Sequence, residues 1–126
     1  MLLVLLKDSY IHPHKHLNKI ESYHVIEGNA ALVLFHNNGK IMDIIELGEY
    51  DSGKTFYTRV SKQYYHTILV TTQYFVFHET TNGPMNKADT IFAEWAPNET
   101  DFEEIKLYCS SLNDEIAKWK HTFNNL

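Results

Sequence analysis

The sequence predicts an all-β domain, a sandwich or barrel, followed by one C-terminal α-helix. Three observations carry that expectation. From Leu2 to about Trp95 the chain is a series of short segments rich in Val, Ile, Thr, Tyr and Phe. Turn signals divide those segments about every eight to twelve residues, the spacing of sandwich and barrel strands. After Pro97 the apolar residues switch to steps of three and four, the period of a helix. The expected division is a β-barrel over residues 1–98 and a helix over residues 99–121 packed on the same domain. At 126 residues the chain is one domain in size, and it buries roughly two-thirds of its unfolded surface, enough for a core without staples.

Leu2 to Leu6 reads as the first strand. Glu27-Gly28-Asn29 interrupts the run from Ser22 to Phe35. Asn37-Asn38-Gly39 separates Ala31–Phe35 from Ile41–Leu47, and Asn-Gly between two apolar runs predicts a hairpin because both residues tolerate positive φ. Gly48 and Asp51-Ser52-Gly53 mark the next loop. Strands are expected near Thr55–Val60, Tyr65–Thr71 and Tyr74–His78, the last ended by Asn82-Gly83-Pro84. In the tail, Thr100-Asp101-Phe102-Glu103 has the capping-box pattern of a hydroxyl followed three residues later by a carboxylate. Phe102, Ile105, Cys109, Leu112, Ile116 and Trp119 then form one apolar stripe ending at about Lys120. That stripe is expected to pack on the outside of the sheets or to form a subunit contact, which leaves a homodimer open. Cys109 lies within it and reads as a small buried hydrophobe.

Composition removes several function classes. The apolar share of 44% and charged share of 21% are those of a soluble globular chain, which excludes disorder and collagen-like repeats. One cysteine excludes an internal disulfide framework and a Cys-based zinc finger. A net charge of −5 argues against nucleic acid as a partner, because phosphate-backbone binding needs clustered Lys and Arg. The opening Met-Leu-Leu-Val-Leu-Leu run is too short for a signal peptide core or a membrane span of about 20 residues. A cytoplasmic protein with no membrane partner is therefore expected. No Gly-rich phosphate loop occurs, and no Ser-His-Asp arrangement can be argued from residue order.

Eight histidines are the unusual feature. In Tyr10-Ile11-His12-Pro13-His14-Lys15-His16 three imidazoles recur at intervals of two, so in a strand His12, His14 and His16 project from one side. Pro13 and Lys15 project from the other, where proline fits an edge or a bulge. Glu21 follows five residues after His16. If it opens the next antiparallel strand, its carboxylate returns to the imidazole face. Imidazole with carboxylate suits iron(II), manganese, nickel, copper or zinc, and ligand type alone does not choose among them.

His14-Lys15-His16, four residues, Glu21, six residues and Gly28 resembles the first motif of the cupin superfamily. The second motif of that superfamily implies His66 as the remaining ligand, in Val60-Ser61-Lys62-Gln63-Tyr64-Tyr65-His66-Thr67-Ile68. There Ser61 stands where proline is usual and Gln63 where glycine is usual. Val70 replaces a common asparagine, and Asp8 stands where the first motif usually begins with glycine. Together with Ala31–Phe35 and the late Phe92-Ala93-Glu94-Trp95-Ala96-Pro97, the pattern is similar to WbuC-type cupin-fold metalloproteins over roughly residues 8 to 100. Members of that group often carry a longer N-terminal segment, so the chain reads as short there. The resemblance implies a jelly-roll β-barrel or sandwich. It also implies one divalent metal ion (Fe, Mn, Ni or Zn) held by His14, His16, Glu21 and His66, and a link to bacterial surface-polysaccharide (O-antigen) biosynthesis.

Around that site His12 is expected as a pocket residue or a support for a ligand, and Tyr23, Val25, Ile68 and Val70 are expected to face inward. Tyr57, Arg59 and Tyr64 are candidates for the mouth, where an arginine could grip a carboxylate or phosphate with its fork. His24 is expected on the opposite face, His36 in solvent beside its turn and His121 near a helix C-terminus, where positive charge is favourable. The parity of His78 is open. Four protein ligands leave an octahedral ion two positions for a small-molecule ligand. An ion there could polarise a substrate oxygen during isomerisation or epimerisation of a sugar or nucleotide-sugar-like molecule. Iron would instead permit a dioxygenase, and a non-enzymatic metal- or sugar-binding module, or a scaffold without metal, remains open. Because ligating imidazoles must be neutral, metal affinity is expected to fall as pH drops through about 6.5.

Overall fold

In the computed structural model, which describes residues 1–60 and 63–124, the alternating apolar runs become nine strands in two antiparallel sheets. The strands are β1 (Leu2–Leu6), β2 (His14–His16), β3 (Glu21–Glu27), β4 (Ala30–Phe35), β5 (Ile41–Leu47), β6 (Tyr57–Val60), β7 (Tyr65–Val70), β8 (Tyr74–Thr81) and β9 (Thr90–Phe92). The helix α1 spans Phe102–Asn124. One sheet has the order β1-β8-β3-β6 and the other β5-β4-β7-β2-β9. The two face each other as a cupin-like sandwich. They do not close into the expected barrel, because among the described residues no ladder joins the edge strands of one sheet to those of the other.

The period-two pattern explains the layers. In β1, Leu3 and Leu5 point inward while Leu2, Val4 and Leu6 stay exposed. Tyr23, Val25, Leu32, Ile68, Val70, Phe75 and Phe77 fill the space between the sheets. Strand β4 is buried on both faces, which is why Ala30–Phe35 reads as an unbroken apolar run rather than an alternating one. Its outward residues Ala31, Val33 and Phe35 meet Leu112, Tyr108 and Ile116 of α1. The helix stripe thus covers the outer face of the five-stranded sheet, except that Phe102 at its start is exposed. Lys120 pairs with Glu46 on β5 and ties down the far end.

Helix α1 departs from the expected bounds at both ends. Its cap is Asp101, whose Oδ1 accepts from the Glu104 amide at 3.2 Å, rather than Thr100. Asp101 and Glu104 have the same three-residue spacing shifted by one, and aspartate caps as well as serine or threonine. At the other end the helix continues past His121 to Asn124, and Phe123 packs on Trp119 with ring centroids 4.2 Å apart and the planes tilted by 35°. No helix among the described residues is long and apolar enough to cross a membrane.

Gly28 closes β3 with φ +85°, and a Cβ there would lie 2.3 Å from the Tyr74 carbonyl oxygen. Only glycine fits that combination of left-handed backbone and close approach. The Asn37-Asn38-Gly39 turn joins β4 to β5 as expected, with the Gly39 amide donating to the His36 carbonyl at 3.0 Å.

Candidate metal centre

Strand β2 is only three residues long, yet it is pinned on both sides. His14 is the register partner of His66 on β7, and His14, Lys15 and His16 pair with Phe92, Ile91 and Thr90 on β9. The alternation then sends His14 and His16 into the sandwich, while Lys15 lies over the Tyr65 ring on the outer face at 4.7 Å. Glu21 is the first residue of β3 in the opposite sheet. Three imidazoles from one sheet therefore meet one carboxylate from the other. One ligand atom from each of His14, His16, Glu21 and His66 can be chosen so that all lie within 4.8 Å of one another, an arrangement that could hold a metal ion. His16, Glu21 and His66 are buried and His14 is partly exposed.

The hydrogen bonds behind the ligands determine which nitrogen faces the centre. His14 Nδ1–H donates to the His12 carbonyl at 2.8 Å, and His66 Nδ1–H donates to the Tyr64 carbonyl at 3.1 Å. A carbonyl only accepts, so in both rings Nδ1 carries a proton and Nε2 is the nitrogen that faces the centre. His66 Nε2 lies 3.1 Å from Glu21 Oε2. Those two atoms attract when a proton or a metal ion lies between them. His16 Nδ1 is held by the Thr90 hydroxyl at 3.0 Å. Its Nε2 is 3.0 Å from Glu21 Oε1 but out of line for a hydrogen bond, which leaves a buried nitrogen without a partner. The Nε2 atoms of His14 and His66, the unpartnered Nε2 of His16 and the Glu21 carboxylate are the donor set of a divalent transition ion, so the residues fit one.

Burial, together with the neighbouring His66, pushes His14 down to about 4. Burial works against ionisation of Glu21, but the imidazoles of His16 and His66 and the Tyr23 hydroxyl outweigh it and hold the carboxyl far below the usual range. Tyr23 donates to Glu21 Oε2 at 2.5 Å, and burial followed by the Glu21 charge pushes the phenol well above 10. Lys19 adds an ammonium 2.9 Å from Glu21 Oε1. The carboxylate is thus aimed and kept ionised.

Beside the cluster lies a cavity of about 170 Å³, with His14, Glu21 and His66 on one side. Leu3, Leu5, Ile11, Ile68 and Phe77 make its walls largely apolar, and Glu79 is the carboxyl on the wall outside the four. Burial, then the charge of Glu21, raises Glu79 above the usual carboxylate range.

The remaining expected site residues divide. Tyr23 lines the cavity. His12 and Tyr64 support the site through their backbone carbonyls; the His12 ring turns away, with Nε2 2.9 Å from the Ala93 carbonyl. Its position ahead of β2 breaks the expected alternation. Tyr57 and Arg59 pair with His24 and Ser22, the outward residues of β3, so they lie exposed on the outer face and away from the cavity. His78 joins that outer face directly opposite His24. The Ser61 departure in the turn before β7 lies outside the described residues. Lys19, Thr90 and Glu79 were not anticipated; the one available signal was Lys19, a cation two residues from a candidate ligand.

A family model described as "Domain of unknown function (DUF6016)" matches residues 1–47. No match is found among curated proteins. Among solved structures, the capsular polysaccharide assembling protein CapF from Staphylococcus aureus is similar with a TM-score of 0.59 at 21% identity, covering 74% of this chain and 27% of CapF. Protein SO0799 from Shewanella oneidensis gives a TM-score of 0.61 at 12% identity, covering 72% of this chain and 58% of its own. The chain therefore spans about a quarter of CapF and somewhat over half of SO0799. The likeness is one of fold, and it supports the cupin-like architecture read from the motif.

Proposed function

We propose that this chain is a WbuC-type, metal-dependent cupin protein acting on a small molecule in surface-polysaccharide biosynthesis. The observation that carries the metal reading is the convergence of His14, His16, Glu21 and His66, with one ligand atom from each within 4.8 Å of the others. His14, His16, Glu21 and His66 would hold one divalent ion, Fe, Mn, Ni or Zn. Bound there, the ion supplies a Lewis acid for a ligand oxygen. The similarity to a capsular polysaccharide assembling protein supports the pathway. The proposal also places the protein in the cytoplasm, with a small-molecule ligand and neither nucleic acid nor membrane as partner.

The chain's own residues define what such a site can do. A cavity of about 170 Å³ is below the usual 300–1,000 Å³ or so of ligand pockets. Only the reacting part of a nucleotide sugar would enter, the remainder lying outside. Glu79 is the cavity carboxyl outside the ligand set and so the group placed to take or give a proton, which isomerisation or epimerisation beside a polarised carbonyl requires. The apolar walls also favour a second reading, an iron-dependent dioxygenase acting on a small apolar substrate. In a third, the site binds its ligand without turnover.

Metal content by elemental analysis of wild type and His66→Ala tests the site. Wild type should retain close to one equivalent, and the variant should fold and lose it. A folded wild type that never binds metal would falsify the proposal. Turnover of nucleotide sugars, oxygen uptake with Fe(II), or neither then separates the three readings.

A further inference from the structure

Lys19 is a charge inside the site that the ligand set does not explain. It lies in the loop between β2 and β3, its side chain only 17% exposed, and its Nζ is 2.9 Å from Glu21 Oε1. A lysine buried to that degree needs a partner, and here the partner is a candidate metal ligand. Glu79 supplies a second carboxyl nearby. Glu21 pairs with Thr81 and Tyr23 with Glu79, so Glu21 and Glu79 are diagonal neighbours on the inner face of β3 and β8. Lys19 is among the charges acting on Glu79, whose carboxyl makes no ion pair among the described residues. One ammonium thus pairs with a carboxylate of the ligand set and acts electrostatically on a second at the cavity wall.

We infer that Lys19 is an internal cation that competes with the divalent ion for Glu21 and moves to Glu79 when the ion binds. The inference rests on the metal-binding reading above. An ion held by Glu21 would lie close to the ammonium, and like charges in a buried setting repel strongly. The flexible four-carbon stem of lysine lets its ammonium change partner while its backbone stays in place. Before loading, Lys19 holds the buried carboxylate in position. After loading, it neutralises Glu79 at the cavity wall and adds a cation beside the ligand space. The cost is a weaker, exchangeable metal.

Calorimetric titration of the chelator-treated full chain with Ni²⁺ and with Zn²⁺ tests this, using wild type, Lys19→Met, Lys19→Arg and Glu79→Gln. Lys19→Met should bind at least tenfold tighter, while Lys19→Arg, which keeps the charge, should stay within about threefold of wild type. Glu79→Gln should bind severalfold more weakly, because the displaced ammonium has lost its second partner. Equal or weaker binding by Lys19→Met overturns the inference and leaves the metal site standing. Tight binding by Lys19→Met with no change in Glu79→Gln overturns the transfer to Glu79. Lack of binding by every protein overturns the metal reading itself. If Lys19→Met lacks a native near-UV circular dichroism spectrum, Lys19→Gln serves for the same comparison.

Discussion

His14 ties the site to pH through its burial. Its imidazole falls from about 6.5 in the unfolded chain to about 4 in the fold. Lowering the pH therefore protonates the unfolded chain first. The neutral ring's contribution is fully present above about 6.5 and is lost as pH falls toward 4. At pH 5 the loss attributable to this residue is about 2 kcal/mol. Urea midpoints of chelator-treated protein at pH 7.5 and pH 5 measure it: His14→Gln should lose about 2 kcal/mol less than wild type. Parallel losses would mean that the ring is not held neutral. At this scale the ligand set was legible because imidazoles two apart in a strand share a face. Thr90 behind His16 was not legible, since nothing local links residues 74 positions apart. The partner of the Lys19 ammonium was hidden too, because two residues along a loop carry no fixed direction.

Gly28 sets how β3 ends. Its φ of +85° and the 2.3 Å approach of a would-be Cβ to the Tyr74 carbonyl oxygen predict that Gly28→Ala destabilises by about 2–4 kcal/mol. Gly53 is the control: its φ is +80° but nothing lies within 4 Å of its Cβ position, so Gly53→Ala should cost only about 1–2 kcal/mol. Chemical denaturation of both separates backbone strain from collision, and equal losses would remove the collision. Longer strands such as β4, β5 and β7 were readable because they show enough residues for a pattern. Strand β9 has only three residues, too few for a period, and it was missed. Tyr57 and Arg59 were misassigned for a related reason. The face of β6 is determined by its register with β3, which the loop between them does not reveal.

Across the whole molecule, the candidate site joins the two sheets. His14 and His16 come from β2 and His66 from β7 of one sheet, while Glu21 comes from β3 of the other. Among the described residues no strand ladder closes that end of the sandwich, so a bound ion would bridge layers that meet there through His16, His66 and Glu21. An ion that binds only the folded chain stabilises it by about 2.7 kcal/mol at a hundredfold excess over its dissociation constant. For a domain this size that raises Tm by roughly 10 °C. Thermal melts of wild type with and without Zn²⁺ should show the rise. Glu21→Gln keeps the size of the side chain but removes the charge that the second sheet contributes, and its rise should fall to a few degrees. The α1 side offers an internal comparison. Leu112→Ala removes a residue buried between the helix and the outer sheet face, lowering Tm with and without metal alike and leaving the metal-dependent rise intact. A full rise in Glu21→Gln would put the ion somewhere that does not involve both sheets. A rise lost in Leu112→Ala would mean that the helix layer and the site are one cooperative unit rather than opposite sides of the same sandwich.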